Sequence, residues 1–331
     1  MSKIKAAITA VGSYAPEYKL TNAILETMVD TNDEWIQSRT GIKERRILQD
    51  KDKGTSFLAI KSAQDLLESK NVDPATIDLV VVATVTPDMP VASTAAYVAT
   101  QIGAVNAFSF DLMAACSGFL YAMSLAASYI ESGRYKKVLI IGADKMSSIL
   151  DYTDRSTCII FGDGAGAVLF EPSSNEYGFE DQILKSDGIG REFLKIDAGG
   201  SILPPSHQTI DDKLHYVFQD GKTVFKYAVS NMASVAEEIV IRNGLTNEDV
   251  DWLVPHQANK RIIDATAKRV NLPEEKVMMN IERYGNTTSA TLPLLLKEYE
   301  PKLKKGDKLV FAAFGGGFTW GSILLTWAYD N

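Results

Sequence analysis

The 331-residue sequence predicts an α/β protein built as two similar halves, near 1–172 and 173–331. Three observations carry this. Continuous Val-, Ile- and Leu-rich runs mark strands buried on both faces. Segments with apolar residues at three- and four-residue spacing lie between them. The outline is also stated twice: "IDLVVVATVTPD" (77–88) is matched by "DVDWLVPHQAN" (249–259), and "YKKVLIIGAD" (135–144) by "GDKLVFAAFGGG" (306–317). Each half closes on a Gly-rich turn and a further apolar run, "GDGAGAVLFEP" (162–172) and "GGGFTWGSILLTWA" (315–328).

Taken in chain order, "TSFLAIKSAQDLLESKN" (55–71) is an amphipathic helix leading by a short loop into the first buried strand. "AFSFDL" is a strand that runs into "MAACSGF". "SGFLYAMSLAASYIESGR" (117–134) is apolar nearly all round, which predicts a buried helix with Gly133 at its C-terminal cap. "VFKYAVSNMASVAEEIVIRNG" (224–244) is the second half's amphipathic helix. "RYGNTTSATLPL" is a tight turn before another helix, and "FGGGFTWG" (314–321) a turn between two strands.

Composition bounds the function. The chain is 46% hydrophobic and 23% charged, ordinary for a globular protein. Its net charge of −8 argues against general nucleic-acid binding. Two cysteines in this length suggest a reducing compartment. "MSKIKAAITAVGSYAPEYKL" lacks the order of a signal peptide, and no apolar run approaches the roughly 20 residues that span a bilayer. These features place the protein in the cytoplasm. Three histidines cannot make a rich metal site, and CxxC, HExxH and EF-hand patterns are absent.

Four positions carry candidate chemistry. Cys116 is either a small buried hydrophobe, the commoner fate of a free cysteine, or a nucleophile on a strand-to-helix turn. A thiol on the first turn of a helix sits among unpaired N–H groups at the positive end of the dipole, which favours thiolate. The small neighbours Ala114, Ala115, Ser117 and Gly118 leave room for a substrate. Cys158, inside an apolar run, reads as core. His256 follows "WLVP" at a strand's C-terminal end, where α/β sites lie, or it is a loop histidine satisfied by backbone. Asn286 taken alone reads as a helix cap. Three successive glycines at 315–317 cost backbone entropy; they mark a tight turn, a close approach, or an N–H aimed at an oxyanion. "FGDGAGA" (161–167) lacks the Lys-Ser/Thr of a P-loop and the helix of a dinucleotide fingerprint, so its glycines read as packing or turn glycines.

Cys, His and Asn on three strand-end turns, with a Gly-rich turn, suit acyl transfer. The chain resembles β-ketoacyl-acyl carrier protein synthase III, the condensing enzyme that starts fatty acid synthesis. The likeness runs nearly end to end, through "TNDEWIQSRTGIKERRI" (31–47), "ACSGFLYA" (115–122), "DRSTCIIFGDGAGAVLF" (154–170), "VPHQANKRI" (254–262), "YGNTTSAT" (284–291) and "FGGGFTWGS" (314–322). It implies a thiolase fold, two duplicated halves in α-β-α-β-α layers, with the cysteine in the first half and the His and Asn in the second. It implies Cys116 as acylated nucleophile, His256 and Asn286 as holders of the second substrate's thioester carbonyl, and the Cys116 and Gly316 N–H groups as oxyanion hole. Trp35, Arg39 and Arg155 resemble the coenzyme A contacts, and Thr31, Gly221, Phe225 and Asn259 line the implied pantetheine channel. A nearby imidazole would support the thiolate further. No metal or redox cofactor is implied; coenzyme A thioester is substrate. Elongating condensing enzymes use two histidines, and thiolases a second cysteine near the C-terminus; this chain has Asn286 and no cysteine after Cys158.

The implied partners are acyl-CoA, malonyl-acyl carrier protein and a second copy of the chain. Carrier protein is acidic, so a basic docking face is expected in "KRIIDATAKR" (260–269), from Lys260, Arg261, Lys268 and Arg269, with Lys226. Each of these alone also reads as a solvated helix face. Reversing Arg261 is expected to spare coenzyme A-dependent acylation. Met89 stands where many members have Phe, at a position that floors the acyl pocket from the partner subunit; a flexible Met there implies branched or longer starters beside acetyl. The rival readings are a polyketide or quinolone starter enzyme or acyltransferase on the same fold, and a non-catalytic acyl-carrier-binding subunit.

Overall fold

The computed structural model describes residues 4–173 and 176–330. Strands β1 (Ala6–Tyr14), β2 (Leu79–Ala83), β3 (Phe108–Leu112), β4 (Val138–Lys145) and β5 (Asp163–Pro172) form a five-stranded sheet in the order β1-β5-β4-β2-β3. Strands β6 (Gly178–Ser186), β7 (Trp252–Pro255), β8 (Lys308–Gly315) and β9 (Thr319–Thr326) form a four-stranded sheet in the order β7-β8-β9-β6. The doubled outline of the sequence is a doubled pairing pattern. β2 lies parallel to β4, which lies antiparallel to β5. β7 lies parallel to β8, which lies antiparallel to β9. β3 is an extra edge strand on the first sheet, parallel to β2.

Among the described residues, seven helices of eight or more residues complete the frame: α1 (Asp33–Thr40), α2 (Thr55–Ser69), α3 (Thr94–Ile102), α4 (Gly118–Glu131), α5 (Gly221–Arg242), α6 (Lys260–Arg269) and α7 (Thr291–Tyr299). The apolar stripe of α2, with Leu58, Ala63 and Leu66, packs with α3 on Val80, Val82 and Ile141 of the first sheet. α4 and α7 fill the space between the sheets, where Phe119, Met123 and Leu295 meet Val81 and Ile140 on one side and Phe311 and Ile323 on the other. α5 and α6 cover the far face of the second sheet through Met232, Ile239 and Ile263 on Val310 and Leu324. The layering is α-β-α-β-α. It explains why β2 is buried along its whole length and why α4 is apolar nearly all round. Gly133 follows the end of α4 with φ 73°, the left-handed conformation a helix end favours. Most of "FGDGAGA" lies in β5, where a Cβ on Gly166 would strike Pro293 at 2.6 Å, so this glycine is there for packing.

Candidate active site

The first catalytic candidate sits where β3 meets α4. Ala115 takes φ 46°, outside the range favoured by L-residues, and turns the chain sharply. Ala115–Ser117 then form one 3-10 turn that presents Cys116, which is 5% exposed. Cys116 therefore lies just ahead of the α-helix and not on its first turn. The β8–β9 hairpin is sewn to this turn. Ser117 Oγ donates to the Thr319 carbonyl at 2.8 Å, and Thr319 Oγ1 donates to the Ala114 carbonyl at 2.7 Å. A Cβ on Gly315 would lie 2.7 Å from the Cys116 nitrogen, so only glycine lets β8 approach so closely.

His256 follows β7 and is 1% exposed. Its Nδ1 lies 2.7 Å from Thr291 Oγ1. Its Nε2 is buried with no hydrogen-bond partner among the described residues. Burial pulls its pKa down to about 3, so the ring is neutral. Asn286 is pinned beside β5: its N–H donates to the Ile160 carbonyl at 2.9 Å, and its carbonyl accepts from Gly162 at 3.0 Å. Its Oδ1 accepts from the Thr288 N–H at 2.8 Å. This corrects the cap reading, because the N-cap of the following turn is Thr287. Asn286 makes a local Asx-type bond that leaves its amide for the cavity.

The Cys116 thiol is pushed up to about 12, by burial first and then by the Asp144 carboxylate. The N–H groups of Gly316 and Cys116 and the Asn286 side chain face the sulfur and pull the other way. The expected resting thiolate is thus overturned: desolvation outweighs the donors, and a neutral His256 brings no positive charge. Asp144, at the end of β4, is fully buried, and burial raises its own pKa. It is held by Val85 N–H at 2.8 Å and Ser289 Oγ at 2.6 Å.

Cys116, His256 and Asn286 share one cavity of about 170 Å³. Gly221, Phe225, Asn259 and Gly316, singled out from the sequence, also line it, with Leu194 and Phe161 in addition. A larger groove of about 680 Å³ lies beside Met89 and Tyr97, away from these groups. Trp35 stands outside the cavity between two guanidiniums, Arg39 at 5.2 Å and Arg155 at 5.6 Å from its ring centre. Asn259 Nδ2 donates to the Arg39 carbonyl at 2.8 Å and so ties α1 to the cavity wall. The Thr31 hydroxyl is buried without a hydrogen-bond partner among the described residues.

The basic residues expected to receive a carrier protein differ in their surroundings. Lys260 pairs with Asp264 and Arg269 with Glu237, both at the surface, leaving Lys226, Arg261 and Lys268 without an ion pair among the described residues. The Arg261 guanidinium lies 4.6 Å over the Phe225 ring, at the cavity, so Arg261 is not a purely peripheral docking residue. Met89 is 57% exposed and does not line the cavity of its own chain. Residues missed from the sequence are Asp144 and Thr291; the one signal was a lone acid closing the apolar run "VLIIGAD". Among the described residues no group of three or more His, Cys, Asp or Glu side chains is placed to hold a metal ion, and no helix is long and apolar enough to cross a membrane.

A cysteine, a neutral histidine and an asparagine around one buried cavity, on two α/β units of like topology, define an acyl-transferring condensing enzyme of the thiolase fold. A family model described as 3-oxoacyl-[acyl-carrier-protein (ACP)] synthase III matches residues 110–188, and its C-terminal counterpart matches residues 240–327. The chain is 56% identical over 330 residues to β-ketoacyl-[acyl-carrier-protein] synthase III 1 of Bacteroides thetaiotaomicron, covering 100% of this chain and 98% of that protein. The crystal structure of 3-oxoacyl-[acyl-carrier-protein] synthase III from Aquifex aeolicus is similar with a TM-score of 0.89 and 42% identity, covering 98% of this chain and 100% of that one. The priming β-ketosynthase of the R1128 polyketide pathway is similar with a TM-score of 0.91 and 34% identity, over 99% of this chain and 98% of that one. The chain belongs to the β-ketoacyl-[acyl-carrier-protein] synthase III family. It is the condensing enzyme of the type that initiates fatty acid synthesis.

Proposed function

We propose that the condensation runs as two half-reactions on Cys116, with acyl-CoA as first substrate and malonyl-acyl carrier protein as second. The observation that carries this reading is the set of donors around one sulfur: the N–H groups of Cys116 and Gly316 and the Asn286 amide, with His256 in the same cavity. In the first half-reaction the sulfur attacks the thioester carbonyl. The bond to coenzyme A breaks, and the thiol's proton ends on the departing coenzyme A sulfur. The two N–H groups stabilise the oxyanion between these events. In the second, the malonyl carbon–carboxylate bond breaks and carbon dioxide leaves. Its electron pair passes to the thioester oxygen as an enolate, held by His256 and Asn286; one such donor lowers the barrier by about 3 kcal/mol. The enolate carbon attacks the acyl-cysteine, the sulfur leaves, and a solvent proton restores the thiol. The two half-reactions use no reactant beyond the two thioesters and a solvent proton.

Coenzyme A enters past Trp35, Arg39, Arg155 and Thr31, and its pantetheine arm runs by Gly221, Phe225 and Asn259. The Trp35 face that Arg155 covers is suited to stack an adenine. Lys226, Arg261 and Lys268 receive the acidic carrier protein. A homodimer forms along the β3 edge, where Phe108, Val91 and Met113 are exposed. In it, Met89 of a second copy floors the acyl pocket and admits branched starters. Two unpaired cysteines fit a cytoplasmic setting. The halves divide at 172/173, between β5 and β6. Intact-protein mass spectrometry tests the whole: wild type gains one acyl mass from acyl-CoA and loses it to malonyl carrier protein, while Cys116→Ala gains none. Acylation that malonyl carrier protein leaves untouched would overturn the second half-reaction.

A further inference from the structure

We infer that Asp144 is an un-ionised carboxylic acid that donates its hydrogen to the Ser289 hydroxyl, and that this bond holds the turn which aims Asn286. This rests on the proposed role of Asn286. Ser289 Oγ lies 2.6 Å from Asp144 Oδ2 and 2.7 Å from the Ala83 carbonyl oxygen. Both are hydrogen-bond distances, and each contact needs its own hydrogen. The hydroxyl has one and the carbonyl none. The second hydrogen therefore belongs to Asp144, whose Oδ2–H donates to Ser289 Oγ while the Ser289 hydroxyl donates to Ala83. The two carboxyl oxygens differ as an acid requires. Oδ1 accepts from Val85 N–H at 2.8 Å and from the Thr84 and Thr86 hydroxyls at 3.0 and 3.1 Å. Oδ2 accepts only the Ser289 N–H, at 3.2 Å. Asp163, a buried acid on β5, gives the contrast. It takes Ser147 N–H and Leu48 N–H, each at 2.8 Å, and the Ser147 hydroxyl at 2.7 Å. Among the described residues nothing else competes for that hydroxyl's hydrogen, so the count balances there without a proton on the acid.

The surroundings favour the neutral form. The titratable groups around Asp144 are Cys116, Asp163, Lys145 and Lys53. The Lys145 ammonium turns away to the Asp50 and Lys53 carbonyls at 3.0 and 2.6 Å, and Lys53 pairs with Asp50. Burial disfavours the carboxylate. An ionised Asp144 would be felt at the Cys116 sulfur. Negative charge develops in that cavity in both half-reactions, and a neutral acid holds the turn without opposing it. The turn, Thr288–Ala290, lies directly on β4, where a Cβ on Gly142 would collide with the Ser289 carbonyl. Thr288 takes φ 53°, unusual for a β-branched residue and tolerable only where its surroundings hold it. Its N–H donates to Asn286 Oδ1 at 2.8 Å, so the place of the turn sets the aim of the Asn286 amide. Asp144 acts through Ser289 and is a positioning residue.

Carbon NMR of full-length protein labelled at its aspartate carboxyls reads the protonation state in the wild type. The Asp144 signal is assigned by its loss in Asp144→Asn and by its shift in Ser289→Ala. At pH 7 ordinary aspartates are ionised. The Asp144 signal is expected at the un-ionised position there, and it titrates only at alkaline pH. Ser289→Ala removes the link between Asp144 and Ala83 without changing any charge. It slows decarboxylation of malonyl carrier protein by about tenfold or more, and acylation by acyl-CoA much less. An ionised Asp144 at pH 7 overturns the inference. So does a Ser289→Ala protein in which the two rates are unchanged or fall in equal proportion. Undiminished decarboxylation in Asn286→Ala overturns instead the reading of Asn286 on which the inference stands.

Discussion

Cys116 is a thiol at rest because burial costs its anion more than three facing donors return. Only thiolate reacts with alkylating agents, and far below the pKa its fraction rises tenfold per pH unit. Alkylation of the substrate-free enzyme by iodoacetamide should therefore climb steadily from pH 7 to 9, and a plateau below pH 8 would show a depressed pKa instead. The glycines opposite the sulfur differ in the same concrete way. Gly315→Ala places a methyl 2.7 Å from the Cys116 backbone, which has to move, whereas Gly316→Ala meets the Leu194 side chain, Cδ2 and Cγ, at 3.0 Å. A displacement near 1 Å costs about a hundredfold in rate. Acylation measured by mass should thus fall much further in Gly315→Ala than in Gly316→Ala; equal losses would show that the close approach is unimportant. Cys116 and His256 stood out because their motifs fall at strand ends, whereas Asn286 follows the one-turn helix Ile281–Tyr284 and by itself reads as a cap. Asp144 and Thr291 were not legible, because what they do depends on Ser289 and His256, partners 145 and 35 residues away.

At the scale of elements, α6 illustrates what spacing reveals and what it conceals. Its amphipathic pattern and basic face were plain, and the Lys260–Asp264 pair is an i,i+4 pair within the helix. The Arg269–Glu237 pair was hidden, because Glu237 belongs to α5. So was the stack of Arg261 on Phe225. The strands were legible for a simpler reason: a strand covered on both faces has to be apolar throughout. The pairs narrow the proposed docking surface to Lys226, Arg261 and Lys268, which form no ion pair among the described residues. Lys226→Glu and Lys268→Glu should raise KM for malonyl carrier protein severalfold, the more so at low salt, with acylation by acyl-CoA unaltered. Arg261→Glu should damage both half-reactions, since it removes the cover of Phe225. Steady-state kinetics at two ionic strengths separates these outcomes; a Lys268→Glu protein with wild-type KM at low salt would remove α6 from the docking face.

At the scale of the whole molecule, two sheets and three helical layers enclose titratable groups that pull stability in opposite directions with pH. His256 is ordinary when unfolded and lowered to about 3 when folded. The unfolded chain therefore binds a proton that the folded one excludes. The stability His256 contributes is fully present above about pH 6.5 and is lost as pH falls toward 3, at about 1.4 kcal/mol per pH unit. Asp144 and Asp163 are raised by burial, so the folded chain holds their protons to higher pH, and the stability linked to them is lost as pH rises. Comparing wild type with His256→Gln cancels the carboxylates and isolates the histidine. In urea unfolding at one fixed protein concentration, wild type should lose about 2 kcal/mol more than the variant between pH 7.5 and 5.0. Parallel pH dependences would mean that folded His256 takes up a proton near its ordinary pKa. Below that pKa a cationic ring would then stand beside Cys116 and draw the thiol's pKa down.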